Sequence, residues 1–556
     1  RMYLKMKAMM MPYTYTNAYA AANLETGNDD KGLPMIRAMF LEYPDEAYAY
    51  TEAGSQYQYM WGENLLVAPV YQNTQADEMG NDVRDGIYLP GGDDQIWIDY
   101  FTGEQYRGGQ ILNGFDAPLW KIPLFVKNGA IIPMYAEHNV AVEGVENGVD
   151  KTQRIVEFWP EGETDFSAIE DDGASMTNDI EEVEGYGDLD NIDYGDHVTT
   201  KYTSKVDGDT ATLTAEKSTG SYAGYDQNKD TTFVVNVSKK PTDVAAYNGD
   251  AELKMVEASD RANYDAYMPE EGEFIYFYDE TPEIQTFASE EETIIAGMVE
   301  NVEVSPKLYV KFAATDTQAN EQKLVIKGFE NTGDLNGTGL NENLDVPVLS
   351  EDVEAKTPTS ITLTWEAVAD ATGYEILVDG TIDEDGNVTS GMINSVAGGA
   401  DATSFTHTGL QYKSEHSYYI RSVNKEGHSA WSEEFVTESA DDPFRLSPDV
   451  TEDQITWTGG IYSNRVPILA FDETFQSGDG GFHSGGDDIG QTLTVDYGNA
   501  YVFDYIEYYP RDDSGNGTLT SALVETSLDG VNWGKHGDAG SSTDADAGLS
   551  FDRARS

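Results

Sequence analysis

The chain has 556 residues, enough for about four domains of ordinary size. Its 101 acidic residues against 33 basic ones give a net charge of -68, which repels phosphate backbones and anionic lipids, so nucleic acid and membrane surfaces are poor partners. The absence of cysteine excludes disulfides, thiolate catalysis and Cys-ligated zinc, and no apolar run approaches the roughly 18 residues of a membrane-spanning helix.

Residues 3–25 place apolar and aromatic side chains at helical spacing, which predicts an amphipathic helix that is disturbed at Pro12 and ends near Gly27. The next apolar segment, PMIRAMFLE (34–42), predicts a short strand buried on both faces of a parallel sheet. It contains Arg37, whose guanidinium must find a carboxylate or carbonyl partner inside the fold.

After Tyr43 the chain changes to short strands separated by Gly and Pro turns, the pattern of antiparallel sandwiches. A second β-rich stretch covers roughly 140–345, and its last piece, NTGDLNGTGLNENLD (331–345), predicts a linker because it offers little to bury. Together with 35 tyrosines and 54 glycines, this pattern predicts a mainly β, multi-domain protein.

The ordered succession GLPMIRAMFLEYPDE, QYMWGENLLVAPV, GIYLPGGDDQIWIDYFTGEQYRGG and APLWKIPLFVKNGAIIPM resembles glycoside hydrolase family 31. The resemblance implies that residues 1–45 are the C-terminal end of a (β/α)8 catalytic barrel, its last helix and strand. It further implies that 46–139 form the proximal C-terminal β-sandwich. Through FSAIEDDGASM and KKPTDVAAYNGD, the first half of 140–345 resembles the distal C-terminal domain of the family, whereas residues 251–330 resemble no family. We interpret 140–345 as the distal C-terminal β domain or domains with the linker.

Such a resemblance implies a retaining exo-α-glycosidase that works by double displacement through two carboxyl groups and needs no organic cofactor. In the family both carboxylates lie on earlier barrel strands, so we expect no catalytic residue in this chain and an N-terminal part, with any export signal, before Arg1. Glu42 and Asp45 follow the presumed last strand, where barrel active sites gather, but we interpret them as a structural strand exit. Glu170, Asp171 and Asp172 read as a solvated acidic turn.

Residues 346–442 resemble a fibronectin type III module, on the strength of SITLTWEAV with its core Trp365, GYEILVDG and HSYYIRSVNKEGHSAWS. His416 occupies the position where this fold usually has its corner tyrosine. Asp383, Asp385 and Asn387 imitate the start of a calcium loop, but position twelve of that loop is Asn394, so we predict an ordinary hairpin turn.

Residues 450–556, with ILAFDETFQSGDGGFHSG and YYPRDDSGNG, resemble the discoidin-like (F5/8 type C) module, which in bacterial glycosidases is the family 32 carbohydrate-binding module. The resemblance implies a sugar site at His483, Arg511 and Asn516, and Asp472 as a ligand of one structural calcium. Because Gly486 stands where a stacking aromatic is often found, Phe482 or another loop aromatic would have to serve. The alternative is structural: Arg511 pairs with Asp512 or Asp513 and His483 packs. The chain stops at FDRARS, before the closing strand that such modules have.

We therefore expect a secreted or cell-surface bacterial glycosidase that acts on terminal α-linked sugars of glycans. The last module slightly favours α-galactosamine or α-galactose over α-glucosides and α-xylosides. A non-catalytic glycan-binding or adhesion protein is the rival hypothesis. Carbohydrate is the expected partner in both cases.

Overall fold

The structure is a computed structural model of the chain. It describes residues 2–71, 76–77, 80–92, 94–136, 151–173, 195–285, 297–299, 301–333, 335–441, 449–471, 481–485, 490–501, 521–522, 524–535 and 549–550. These residues form two compact units, divided after Ser439, and each unit is described by itself. Strands far outnumber helices, which confirms the mainly β fold class. Within the described residues, no helix has the length and apolar character needed to cross a membrane.

The first unit begins with α1 (Met2–Met9), α2 (Met11–Ala21), β1 (Ile36–Arg37), α3 (Met39–Glu42) and α4 (Glu52–Ser55). The break predicted at Pro12 is confirmed, because this proline stands in the first turn of α2, where a missing N–H is tolerated. The helix ends well before Gly27, and Asn23 adopts the left-handed conformation (φ 64°) that reverses the chain. The parallel strand predicted for 34–42 is wrong: only two of its residues are extended, they pair antiparallel with Tyr59–Trp61, and a helical turn follows.

The proximal sandwich contains nine strands: β2 (Tyr59–Trp61), β3 (Leu65–Val67), β4 (Asp82–Arg84), β5 (Ile87–Leu89), β6 (Ile96–Asp99), β7 (Gln105–Arg107), β8 (Gln110–Leu112), β9 (Phe115–Ala117) and β10 (Leu124–Lys127). One sheet has the order β1-β2-β3-β10-β6-β7, and β5 pairs with β8 in the other. Trp97 and Phe125 are fully buried between the layers, so this sandwich has its own apolar core.

The distal sandwich comprises β11 (Ile131–Tyr135), β12 (Gln153–Phe158), β13 (Glu163–Glu170), β14 (Val198–Asp207), β15 (Thr210–Ala215), β16 (Thr219–Gly220), β17 (Asn228–Asn236), β18 (Asp243–Asn248), β19 (Ala251–Glu252), β20 (Lys254–Glu257), α5 (Arg261–Ala266), β21 (Glu273–Asp279), β22 (Lys307–Asp316) and β23 (Gln322–Lys327). Its two sheets run β11-β12-β17-β22-β21-β20 and β13-β14-β15-β23-β18-β19. Residues 251–330, which resemble nothing in the sequence analysis, thus supply strands to both sheets. One apolar core continues from Met10 and Tyr13 through Phe158 to Phe312, so the helices and this sandwich pack together.

The fibronectin-like module comprises β24 (Ser350–Glu351), β25 (Ser360–Thr364), β26 (Gly373–Ile382), β27 (Val388–Ser395), β28 (Ser404–Thr408), β29 (Glu415–Asn424), β30 (Gly427–His428) and β31 (Phe435–Glu438). Its sheet does not stop at the module boundary. The order β30-β29-β26-β27-β8-β5 joins it to the proximal sandwich, because β27 pairs parallel with β8 at Ile393↔Gln110 and Asn394↔Ile111. Met392 also packs against the proximal core. The two modules therefore share one continuous sheet.

The segment 331–345 between the sandwiches is not the bare linker that its composition predicts. The side chains of Asn341 and Leu344 are buried. The carbonyl of Asn336 accepts a hydrogen bond from Arg107 Nε (3.0 Å), and the amide of Gly337 donates to the carbonyl of Asn424 (3.0 Å). A short polar segment can be held by backbone hydrogen bonds without a large apolar surface, which its composition does not reveal.

The second unit contributes β32 (Ile455–Trp457), β33 (Leu493–Val495), β34 (Ser521–Ala522), β35 (Glu525–Thr526), β36 (Gly534–Lys535) and β37 (Leu549–Ser550). They pair as β32-β33, β34-β37 and β35-β36. These pairings are antiparallel.

Candidate functional site

Arg37 is the centre of a buried polar network that includes Asn17 of α2. Its side chain is fully buried; Nη1 donates to Glu42 Oε2 (2.8 Å), Nη2 to Asp30 Oδ2 (3.3 Å) and Nε to the carbonyl of Pro34 (2.8 Å). The prediction of a carboxylate or carbonyl partner for Arg37 is confirmed. Glu42 is the last residue of α3 and is held in this ion pair, which is a structural role, but neither Glu42 nor the exposed Asp45 directly follows a strand.

A third carboxylate, Glu63, joins this network from the turn between β2 and β3. Burial, together with the negative charges of Asp30 and Glu42, raises the pKa of Glu63 to about 7. Burial also raises the pKa of Glu42, against the opposing effect of Arg37. Sequence reasoning missed Glu63, because its neighbours come from loops that are distant along the chain. The three carboxylates and Arg37 influence one another electrostatically, in keeping with a structural role.

The acidic turn predicted to be solvated at 170–172 is partly buried, and that prediction is wrong. Glu170 forms an ion pair with Lys229 Nζ (3.0 Å), whose side chain is only 2% exposed. Asp171 is buried, and its Oδ2 accepts a hydrogen bond from the hydroxyl of Tyr15 (2.6 Å) on α2. Burial lowers the pKa of Lys229 against the opposing attraction of Glu170. These carboxylates attach β13 to α2 and β17, which is a structural role.

The fibronectin-like module contains the predicted hairpin turn. Asp383 Oδ1 accepts hydrogen bonds from the amides of Asp385 (3.0 Å) and Asn387 (2.8 Å), between β26 and β27. These hydrogen bonds hold the pKa of Asp383 below its usual value. At the corner position, His416 Nδ1 contacts Asp379 Oδ2 (2.7 Å), so an ion pair or hydrogen bond replaces that of a tyrosine hydroxyl.

In the second unit the structure describes two of the predicted ligand residues, Phe482 and His483. Phe482 packs edge-on against Trp457, with ring centroids 5.2 Å apart. His483 Nδ1 lies 2.7 Å from the carbonyl of Ser484, and its ring contacts that of Tyr462 at 4.9 Å. Asp472, Arg511 and Asn516 lie outside the described residues, so the calcium and the remaining sugar contacts stay predictions. Among described residues, no group of three or more His, Asp or Glu side chains is arranged to hold a metal ion.

Three protein families match the chain in succession. The glycosyl hydrolase family 31 C-terminal domain matches residues 32–132, the fibronectin type III domain 347–438 and the F5/8 type C domain 454–554.

Among curated proteins, an isomaltosyltransferase of Sporosarcina globispora is 35% identical over 187 residues, which is 33% of this chain and 15% of that protein. A sulfoquinovosidase of Escherichia coli is 37% identical over 100 residues, 18% of this chain and 12% of that protein. Among solved structures, a Flavobacterium johnsoniae GH31 dextranase complexed with glucose aligns with a TM-score of 0.39 and 24% identity, over 58% of this chain and 32% of that one. The chain thus spans less than a fifth of the length of these two curated relatives.

These matches describe a modular chain. A segment that matches the glycosyl hydrolase family 31 C-terminal domain is followed by segments that match a fibronectin type III domain and an F5/8 type C domain.

Proposed function

We propose that the whole protein is a retaining exo-α-glycosidase, and that this chain supplies the β-sandwiches behind its catalytic barrel and a sugar-binding C-terminal module. The observation that carries the proposal is the match to the family 31 C-terminal domain at residues 32–132, together with the similarity to the isomaltosyltransferase and the sulfoquinovosidase. Retaining hydrolysis needs two carboxyl groups about 5 to 5.5 Å apart, one of them free to attack the sugar. Glu42 and Glu170 are each held by a buried cation, which leaves neither free for that role.

The proposal leaves two classes of substrate for the whole protein, which differ in the terminal sugar that is removed. Relatives include an α-xylosidase of Saccharolobus solfataricus and an α-glucosidase of Bacillus thermoamyloliquefaciens. These two relatives support α-glucosides or α-xylosides as the substrates of the whole protein. The α-galactosamine or α-galactose preference is supported by the C-terminal module alone. An extracellular or cell-surface location in a bacterium fits a protein without cysteine that carries a glycan-binding module.

The experiment compares this chain with the same chain extended upstream by the complete barrel, on aryl α-glucosides, α-xylosides, α-galactosides and α-galactosaminides. We expect no turnover by residues 1–556 and turnover by the longer protein, whose preferred substrate identifies the sugar. Turnover by residues 1–556 that is lost on changing Glu42 or Asp45 to alanine would refute the proposal. An inactive longer protein that still binds glycans would favour the non-catalytic adhesion protein.

A further inference from the structure

A serine, a histidine and an aspartate meet at one corner of the fibronectin-like module. His416 Nδ1 lies 2.7 Å from Asp379 Oδ2, and His416 Nε2 lies 2.9 Å from Ser414 Oγ. The two nitrogens of one imidazole are therefore within hydrogen-bonding distance of a carboxylate and of a hydroxyl group. A base that contacts a hydroxyl group and is itself oriented by a carboxylate is the arrangement that activates a serine as a nucleophile.

The carboxylate of Asp379 fixes the tautomer of His416. A carboxylate only accepts, so Nδ1 carries the hydrogen that is donated to Asp379 Oδ2. In the neutral ring Nε2 is then an acceptor for the hydroxyl group of Ser414. The carboxylate is held in turn, because its Oδ1 accepts a hydrogen bond from the amide of Ser417 (2.9 Å).

The backbone is irregular at both ends of this chain of hydrogen bonds. Asp379 has a φ of 48°, and Lys413, directly before Ser414, has a φ of 52°. They are two of the five non-glycine residues with positive φ in the part of the chain that the structure describes. Asp379 also lies where the register of β26 with β27 shifts, between Val378 and Thr381. Such bulges and left-handed residues aim side chains in particular directions and are concentrated next to active sites.

The hydroxyl hydrogen of Ser414 has two acceptors within reach. Ser414 Oγ lies 2.6 Å from the carbonyl of Gln411 and 2.9 Å from His416 Nε2, and rotation of the hydroxyl group exchanges the two. The carbonyl of Gln411 also accepts a hydrogen bond from the hydroxyl group of Ser439, so it keeps a donor when Ser414 turns to His416. The contact with Gln411 therefore leaves His416 able to take the proton of Ser414.

We propose that Ser414, His416 and Asp379 form an acyl-transfer site that hydrolyses small neutral esters, an activity separate from the glycosidase function. Ser414 is half-buried and its neighbours Lys413 and Glu415 are exposed, so the site lies at the surface and suits a short acyl group such as acetyl. The net charge of -68 repels anionic esters, which leaves neutral esters as the substrate class.

The reaction has two steps that both use His416 Nε2. Ser414 Oγ attacks the ester carbonyl and its proton moves to Nε2; the bond from the acyl carbon to the alkoxy oxygen breaks, and the alcohol leaves with that proton. A water molecule then attacks the acyl-serine and gives a proton to Nε2, and the acid is released as this proton returns to Oγ. Asp379 is a positioning residue, since it holds the tautomer of His416 and stabilises the imidazolium without touching the substrate.

The first measurement treats the 556-residue chain with diisopropyl fluorophosphate, which phosphorylates an activated serine irreversibly and releases fluoride. Peptide mass spectrometry then locates the label. We expect about a hundredfold more label on Ser414 than on Ser404, an exposed serine of β28 in the same module. His416→Gln should lower the labelling rate of Ser414 about a hundredfold, because the general base is removed.

Asp379→Asn is the sharpest variant, because asparagine has nearly the same shape and tolerates a left-handed backbone. The amide no longer fixes the tautomer of His416, so labelling of Ser414 should fall about a hundredfold while the melting temperature stays close to that of wild type. The matched control is His428→Gln, which changes a histidine of β30 whose Nδ1 contacts the carbonyl of Ser429 and should leave labelling unchanged.

The second measurement is hydrolysis of p-nitrophenyl acetate, which we expect to be lost in Ser414→Ala and retained in Ser404→Ala. Equal labelling of Ser414 and Ser404 in wild type would overturn the proposal. So would undiminished labelling in Asp379→Asn, which would reduce the three contacts to a structural role. An equal loss of labelling in His428→Gln and His416→Gln would refute His416 as the base. Ester hydrolysis that is the same in wild type and Ser414→Ala would refute the acyl-transfer activity.

Discussion

Replacing Gly114 by alanine should detach the fibronectin-like module from the proximal sandwich. Gly114 follows β8, the strand that pairs with β27 across the module boundary. A Cβ at Gly114 would lie 2.2 Å from Ala397 Cβ and 2.8 Å from Ala397 Cα, which no small adjustment of a side chain relieves. The backbone of one module must therefore move away from the other.

The cost can be estimated from the contacts that the movement breaks. Asn113 donates through Nδ2 to the carbonyl of Ser395 (3.1 Å) and through its amide to Ser395 Oγ (3.2 Å), next to the paired residues of β8 and β27. At about 1 kcal/mol for each hydrogen bond, these contacts and the adjoining strand pairing amount to about 2–3 kcal/mol. Alanine at a φ of 69° adds about 1 kcal/mol of backbone strain wherever it stands.

The control for that strain is Gly386→Ala. Gly386 has a φ of 89° in the exposed hairpin of the same module, and a Cβ there meets nothing within 4 Å. We expect hydrogen exchange of the 388–395 peptide, followed by mass spectrometry, to be about thirtyfold or more faster in Gly114→Ala than in Gly386→Ala. Equal exchange in the two variants would show that β27 does not depend on β8, and the continuous sheet would be refuted.

Two further predictions concern buried charge. Arg37→Met leaves Asp30 and Glu42 without their cation, so the free energy of unfolding in urea should fall by about 3–5 kcal/mol, and by more at pH 8 than at pH 5 because the carboxylates ionise. The control is Lys205→Met, which removes the cation of the exposed pair Lys205–Glu163 and should leave the free energy of unfolding unchanged. An equally small effect of Arg37→Met would contradict the buried network. Burial, and secondarily the neighbouring His416, lowers the pKa of His407 from 6.5 to about 4, so the folded module binds this proton less readily than the unfolded chain does. The contribution of His407 to the free energy of unfolding should therefore be fully present above about pH 6.5. It should fall by up to about 3 kcal/mol as the pH drops to 4. His407→Gln should flatten this decline in thermal unfolding while His428→Gln should not, and an unchanged slope in His407→Gln would exclude this histidine as the cause.

Sequence reasoning succeeded where the determining interactions are local. The Pro12 break follows from one residue's missing N–H, and the Asp383 hairpin from a side chain that caps its own turn. The need of Arg37 for a partner also follows from its apolar surroundings, although the partner's identity does not.

Reasoning failed where distant segments meet. The pairing of β27 with β8 joins residues more than 280 positions apart. The backbone groups of a strand edge can pair with those of any other strand, so the sequence does not predict which strand will be the partner. Burial and then the charges of Asp30 and Glu42 raise the pKa of Glu63, and neither of these residues lies near Glu63 in sequence.

The distribution of cations connects the composition of the chain to its fold. Lys121 lies 2.6 Å from Asp99 with side chains 6% and 0% exposed, and Lys307 lies 2.7 Å from Glu157, itself 4% exposed. With Arg37 these pairs place basic residues in the interior, where an unpaired carboxylate would be costly. Each interior pair removes one cation and one anion from the surface, so the ratio of basic to acidic groups facing solvent falls below 33 to 101. Such a surface repels anionic polymers, which is the physical reason why nucleic acid and anionic membranes are poor partners for this chain.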